Sequence, residues 1–446
     1  MKEKIIGLLL IGLIILEIVF ASTNIIYFNY LKSIIWSIVT ILLIYISVCY
    51  TFKLKFIQFN IKNIFKSILK KSNGEISVFE SLSINLAAKI GVGSLSGVAL
   101  SIYIGGIGSI FWMWLITLIT GVISYIEGYL GVKYQVSNNN KLNSGPSFYI
   151  KKITNSKFLA ILYSVITIIA YIFGFITIQS NTIVKSVNYV FDINEYLVLF
   201  VLIFFSGFII YKGIKKIAVF SSKIVPIMGI IYIVLGLYVI VVNINIIPNV
   251  LINIVRSAFN FKSFFGGFLS TVIIGVQRGI FATEVGVGTS AIASSLTNDS
   301  SKNQGYVQLF GNYFTSFVIC TITAFIIISA KIDVSLYGNI NGIEYVIDAF
   351  VYHLGNFGVI LFLIIAILFA FSTIVSGYCF GEKALEYLDN NLNRRKIFVF
   401  KTITIILTFV GGIISPNILW NIIDILIAIL TIINVYSIYL LKDKFK

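Results

Sequence analysis

Apolar stretches of about 20 residues recur along almost the whole chain, each long enough to cross a lipid bilayer as a helix. They fall at 5–27, 33–52, 80–103, 106–133, 157–190, 196–211, 217–242, 263–295, 304–330, 357–388, 398–413 and 418–440. This pattern constrains the fold more than any other feature, because at that depth only helices or closed barrels satisfy the backbone. With 58% of its 446 residues hydrophobic and 11% charged, the chain is excluded from the soluble globular class. The first stretch follows Met1-Lys2-Glu3-Lys4 and ends near Ala21-Ser22 in the manner of a signal peptide. Glu17 and the apolar length beyond it favour a retained helix.

The net charge of +16 does not mark a nucleic-acid surface, since the basic residues lie in short loops between apolar spans. With Lys53–Glu75 placed in the cytoplasm, twelve alternating crossings put roughly 26 of the 33 Lys and Arg residues on that side. About five remain outside (Lys32, Lys185, Arg256, Lys262 and Lys331), and Lys89 and Arg278 fall within spans. Both termini are therefore expected in the cytoplasm, and the segment Lys331–Phe357 is expected to be the largest external connection.

Two spans are poor helices. Asn85 through Val98 holds three glycines, two serines and Lys89 inside an apolar run. Each interior glycine costs about 1 kcal/mol relative to alanine, and freed backbone at membrane depth survives only where protein or a cavity receives it. The span 263–295 is interrupted by Gly266-Gly267, Gly275, Gly279, Gly286 and Gly288 and also carries Arg278 and Glu284. The two lie five crossings apart and so run in opposite directions. Paired interrupted helices of inverted topology point to a secondary transporter with a site near the midplane. Close packing alone accounts for Gly128 and Gly236, but not for glycine clusters that contain charges.

No phosphate-loop motif and no H-E-x-x-H motif is present. These absences argue against an intrinsic ATP-driven pump and leave no second imidazole for a metalloprotease site, and an enzyme would have to rest on intramembrane carboxylates such as Glu127, Glu284 and Asp424. Cys49, Cys320 and Cys379 lack the spacing of a disulfide framework or metal site. The single histidine, His353, is read as a solvated loop residue.

Several stretches together resemble the alanine or glycine:cation symporter family. They are Asn85–Val98, Gly105–Trp114, Glu127–Tyr134, Gly145–Ile150, Gln179–Thr182, Arg278–Gly288, Phe371–Ile374 and Tyr378–Glu382, in the family's order from about residue 50 to the end. The resemblance implies an all-α polytopic membrane protein with a LeuT-type inverted repeat of five plus five helices, two of them discontinuous. The ten-helix core would span 80–446, with 1–79 holding about two additional N-terminal helices and a basic cytoplasmic linker. It further implies a secondary active transporter, not an enzyme, in the plasma membrane of a bacterial-type cell. The transporter would import a small neutral amino acid, alanine, glycine or somewhat larger, with a cation by alternating access. No nucleic acid and no obligate protein partner is expected.

Physical chemistry gives the same positions roles. A half-helix starting near Gly93-Ser94 presents free N–H groups and a positive dipole end to a carboxylate. Carbonyls near Ala88 and Phe281 and the Gln179 amide oxygen suit an ammonium, while Gly91 and Gly93 let a ligand touch the backbone. Gln179 and Phe281 also have ordinary packing roles open to them. Ser372 and Thr373 with the carbonyls of Ala87 and Ile90 form an oxygen set for a hard cation, where the resemblance places Na⁺. Their hydroxyls can alternatively bond back to their own helix. Arg278 and Glu284 are expected to form a structural or gating ion pair. Thr373 and Gly377 complete the substrate-binding candidates. The family usually carries tryptophan at the position of Gly377, so a wider pocket is expected unless another aromatic such as Tyr378 moves in.

Lys89 stands where the family motif has serine. Nine helical steps from Glu80 place it roughly 14 Å into the membrane. Two readings remain open. Its stem snorkels to a vestibule and leaves the cation site intact, or its ammonium occupies or blocks the Na⁺ position. The second reading would give Na⁺-independent transport, either proton-coupled through Lys89 or by exchange. A transporter-like amino-acid sensor is a further alternative.

Overall fold

The computed structural model describes residues 25–70, 76–138, 141–260, 267–330, 332, 342–389 and 392–442. Most of the first apolar stretch lies outside them, as do residue 331 and residues 333–341.

The described chain is almost wholly helical. An N-terminal helix, α1 (Ile25–Lys53), and a short amphipathic helix, α2 (Ile61–Ile68), precede the first interrupted span. That span is α3 (Val78–Lys89) followed by α4 (Val92–Gly105). Then come α5 (Ser109–Lys133), a small antiparallel hairpin of β1 (Val136–Asn138) and β2 (Lys141–Asn143), and α6 (Pro146–Thr154). Next are α7 (Lys157–Phe191), α8 (Glu195–Ile210), α9 (Ile214–Val242) and α10 (Ile247–Ala258). The second interrupted span is α11 (Leu269–Thr283) and α12 (Thr289–Ser294). The chain continues with α13 (Ser301–Ser329), α14 (Ile343–Leu388), α15 (Arg394–Ile413) and α16 (Pro416–Tyr439). Wide turns (π-helix) interrupt α7 at Ile169–Phe175 and α13 at Phe314–Cys320.

Among the described residues nine helical spans are long and apolar enough to cross a bilayer, and α8 and α11 are shorter apolar helices. These match the sequence-derived spans after the first. One correction concerns the segment read as an external loop up to Phe357: residues 343–354 are helical, and α14 bends at Gly355, where φ is +62°. His353 accordingly sits in a helix, near Ser329 Oγ (3.0 Å) and Asn243 Nδ2 (3.3 Å), and not in a solvated loop.

Small residues set how closely the helices meet. A Cβ at Gly128 would lie 2.7 Å from the Gln304 carbonyl of α13, and one at Gly236 would collide with Ile322. α5 meets α11 in the same way, where a Cβ at Gly279 would lie 2.9 Å from Ile116. Ser180 of α7 donates to the Thr408 carbonyl of α15 at 2.6 Å.

Candidate substrate and cation site

Local sequence explains the first break. Ser77 and Glu80 cap the start of α3 reciprocally, with the Ser77 N–H donating to Glu80 Oε2 at 2.7 Å. The helix ends at Lys89. Ile90 leaves the helical region and Gly91 is extended, and α4 starts at Val92, one residue earlier than expected from Gly93-Ser94. The Ser94 hydroxyl donates to the Gly91 carbonyl at 2.8 Å. The second break needs left-handed backbone: Glu284 (φ +52°), Gly286 (φ +81°) and Gly288 (φ +104°) carry the chain from α11 into α12. Glycine takes such angles without penalty, whereas Glu284 does so at a cost.

The two breaks meet. A Cβ at Gly93 would lie 2.7 Å from the Phe281 ring, and one at Gly91 would strike the Thr373 hydroxyl and come within 3.1 Å of Gln179 Oε1. Gly91, Gly93, Ser94, Gln179, Phe281 and Thr373 therefore form one buried constellation. Gly377 lies one turn beyond Thr373 and faces α7, where an added Cβ would find Ile176 at 3.5 Å and Tyr171 at 3.9 Å. The aromatic wall is supplied by α7 and not by Tyr378, which turns to Phe400. Tyr171 stacks on Phe175, Phe175 on Phe281, and Phe281 contacts Trp420.

Gln179 differs from its expected use. Its Oε1 accepts from the Val92 N–H at 3.0 Å. It thereby caps the half-helix end at which a ligand carboxylate would bind, and it does not face an ammonium.

Three of the four cation candidates come together. Thr373 Oγ1 donates to the Ala87 carbonyl at 2.8 Å and Ser372 Oγ approaches it at 3.4 Å. Both hydroxyls also lie 3.0 Å from the Phe369 carbonyl of their own helix. Ile90, the fourth candidate, is buried at the break. The donor set is neutral oxygen throughout, which fits Na⁺.

The charged residues separate into two clusters. Arg278 pairs with Asp424 at 2.9 Å and not with Glu284, and Lys32 reaches the same carboxylate at 3.5 Å. Arg278 also lies over the Trp420 ring at 4.8 Å. Arg278 lies within α11, whereas Glu284 follows its last residue in the left-handed region, and the two side chains go to different neighbours.

Lys89 is directed away from Ser372 and Thr373. Its ammonium donates to Asn312 Oδ1 at 2.7 Å and Ser290 Oγ at 3.2 Å. This is the last rung of a polar ladder between α3 and α13. Ser81 meets Gln304 (3.5 Å), Asn85 donates to Gln308, and Lys89 donates to Asn312, always 223 residues apart, so the helices run parallel. Glu127 and Glu284 are the acidic neighbours of Lys89. Glu127 Oε1 accepts from Asn434 Nδ2 at 2.7 Å. The sequence reading missed Asn312, Ser290, Asn434 and Trp420. A signal for the first existed, since Gln304, Gln308 and Asn312 repeat every fourth residue in an apolar helix.

Two interrupted helices separated by four crossings, α5, α7, α8 and α9, run in opposite directions and meet at their breaks. Together with the surrounding apolar helices they define a multi-pass membrane transporter of the inverted-repeat class. The chain belongs to the sodium:alanine symporter family, which matches residues 21–446. It is 32% identical to the amino-acid carrier protein AlsT of Bacillus subtilis over 94% of this chain and 90% of that one. It is likewise 32% identical to the sodium/alanine symporter AgcS of Methanococcus maripaludis, over 83% of each. Among solved structures, a Na⁺-coupled sialic acid symporter superposes with a TM-score of 0.55 at 12% identity, covering 86% of this chain and 82% of that one. The Eremococcus coleocola manganese transporter does so with a TM-score of 0.50 at 15% identity, covering 80% and 76%. These two likenesses concern the fold alone.

Proposed function

We propose that the chain imports a small neutral amino acid together with Na⁺ by alternating access, with residues 80–446 as the transporting core. The meeting of the two helix breaks at Gly91, Gly93 and Phe281 carries this reading. An amino-acid carboxylate would displace Gln179 from the Val92 N–H, and the ammonium would face the carbonyls near Ala88 and Phe281. Na⁺ would separate the Ser372 and Thr373 hydroxyls from Ala87, joined by the Ile90 carbonyl. Relatives described as alanine, glutamine and amino-acid carriers support an amino-acid substrate. The Na⁺-independent alternative, with Lys89 in the place of sodium, is disfavoured by the turn of that ammonium toward Asn312. Arg278 with Asp424 would serve as a gate on the outer side of Phe281.

Uptake of labelled alanine, glycine and glutamine into proteoliposomes tests the reading. An inward Na⁺ gradient should drive accumulation, and Ser372→Ala or Thr373→Ala should raise the half-saturating Na⁺ concentration at least about tenfold, the equivalent of 1.4 kcal/mol. Uptake that ignores Na⁺ but follows a proton gradient would reject sodium coupling. Binding without flux would favour the sensor. The proposed location is a bacterial-type plasma membrane with both termini cytoplasmic. Cysteines at the exposed positions Lys66 and Asp192 should accordingly label from the cytoplasmic and the outer side, respectively.

A further inference from the structure

The Lys89 cluster is not needed for the substrate and sodium positions described above, yet it gathers three ionisable side chains that are all buried. Lys89, Glu127 and Glu284 are 2%, 0% and 1% exposed. They are carried by α3, α5 and the turn after α11, and Ser290 of α12 and Asn312 of α13 complete the surroundings. One cation thus stands against two carboxylates. Both oxygens of Glu284 and one of Glu127 lack a well-formed hydrogen bond among the described residues, with the Thr289 and Tyr171 hydroxyls facing Glu284, and the Asn312 amide nitrogen is likewise unsatisfied. Two further features add negative potential. Lys89 is the last residue of α3, and Glu284 follows the last residue of α11, so both half-helices end here with their carbonyl poles. A carboxylate at a helix C-terminus is disfavoured unless a cation offsets it.

A neutral side chain would complete the ladder equally well, since glutamine can donate to Asn312 as Asn85 donates to Gln308. Hydrogen bonding therefore does not account for a lysine. Charge does, because ionisable groups at this depth persist where they pair or serve a function. The ammonium touches Asn312 Oδ1 and Ser290 Oγ, while the Glu127 and Glu284 carboxylates stand beyond ion-pairing contact and contribute charge; neutral oxygens backed by carboxylates also suit a hard monovalent cation.

We propose that the Lys89 ammonium is a covalently tethered cation, filling an oxygen-lined site between α3, α5, α12 and α13 that would take a free monovalent cation if the side chain were removed. This site is distinct from that of Ala87, Ser372 and Thr373, and the proposal stands without the amino-acid reading, because its test measures folding and not transport.

The experiment compares purified wild-type protein with Lys89→Ser, which opens the site, and Lys89→Gln, which keeps a donor for Asn312. Thermal stability is followed in N-methylglucamine buffer during titration with K⁺, Na⁺ or methylammonium. Lys89→Ser should be saturably stabilised by K⁺ or methylammonium, to which the wild-type protein is indifferent, its folding constant rising about elevenfold at ten times the dissociation constant. Wild-type protein should not respond to K⁺ or methylammonium, and Lys89→Gln should be destabilised relative to it. A folded Lys89→Ser protein indifferent to K⁺ and methylammonium would overturn the proposal, whatever its stability in N-methylglucamine. So would a Lys89→Gln protein with wild-type stability. If Lys89→Ser does not fold under any condition, Lys89→Ser/Glu284→Gln decides. Recovery of the fold without added cation supports the tethered charge, and failure to recover assigns Lys89 to packing and overturns it.

Discussion

Gly93→Ala is the smallest perturbation that should separate the two breaks. The added methyl would lie 2.7 and 2.8 Å from Cδ1 and Cε1 of Phe281 and 3.5 Å from the Cα of Ala282. Carbon atoms pack best at about 3.5–4.0 Å, so the ring has to retreat by about 1 Å. It has little room to do so. Phe175 stacks on it with ring centroids 5.2 Å apart, and Trp420 stands at 4.8 Å on another side. Inserting a methyl into such packing costs about 1–3 kcal/mol, which corresponds to roughly 5- to 150-fold in the population of the arrangement where the breaks touch. The backbone at Gly93 is helical, so alanine is otherwise acceptable and the protein should still assemble. Initial rates of amino-acid uptake in proteoliposomes should fall at least about tenfold, within that range. Phe281→Leu removes the ring edge that the methyl strikes. The double variant Gly93→Ala/Phe281→Leu should be better than the sum of the two single changes, by roughly 1 kcal/mol or more in a double-mutant cycle. Strict additivity, or a Gly93→Ala protein with wild-type uptake, would refute the assignment of Phe281 as the partner of Gly93.

Other substitutions probe the remaining walls and ties. Gly377→Ala should be nearly neutral, because its methyl meets Ile176 at an ordinary 3.5 Å. Gly377→Trp should crowd Tyr171 and reduce uptake of substrates larger than alanine at least about tenfold, in keeping with roughly 1–3 kcal/mol per excluded methylene; unchanged substrate preference would reject Gly377 as a pocket wall. Asp424→Asn strands the buried Arg278 and should destabilise the protein by about 3–5 kcal/mol in thermal unfolding. Lys32→Ala should cost under about 1 kcal/mol, since Lys32 is partly exposed and keeps its distance at 3.5 Å. Gln179→Leu removes the acceptor from the Val92 N–H and should cost about 1–3 kcal/mol, visible as lower thermal stability that saturating substrate partly restores.

What the sequence made legible followed from strong local conflicts. Glycine with charge inside an apolar run is costly enough in a bilayer to announce both breaks at Asn85–Val98 and 263–295. The loop-rich Lys and Arg pattern likewise marked out the spans. Partner choice was not legible for the charges. Arg278 and Glu284 are neighbours in sequence, but α11 ends between them, and Arg278 goes to Asp424, 146 residues away, and Glu284 to the Lys89 cluster. Gln179 was ambiguous for a chemical reason. Its amide oxygen can accept from an ammonium or from a backbone N–H, and only the approach of α7 to the first break selects Val92. The α3–α13 ladder was readable in principle, because Ser81, Asn85 and Lys89 repeat at the same interval of four as Gln304, Gln308 and Asn312. Matching two polar stripes of equal spacing requires knowing that the helices lie parallel, and topology supplies that only after both spans are oriented.

The distribution of these bonds bears on movement. The ladder rungs, together with Ser124 donating to the Gln308 carbonyl at 3.2 Å, bind α3, α5 and α13 to one another through repeated contacts. Ties to α7 and α14 at the site are isolated: Gln179 of α7 with Val92 at the start of α4, and Thr373 and Ser372 of α14 with Ala87 of α3. A single neutral hydrogen bond contributes about 0.5–1.5 kcal/mol net. A ligand carboxylate at the Val92 N–H, or a cation between Ala87 and Thr373, as proposed, would replace one such bond with a stronger charge-assisted contact. The energy of one ligand would therefore be comparable to the energy of the ties it displaces, while the ladder contacts together exceed it by roughly twofold. On the proposed reading, binding at the breaks would shift α7 and α14 relative to α3, α5 and α13 without unmaking either group, the behaviour of a hinge point and not of a rigid pocket.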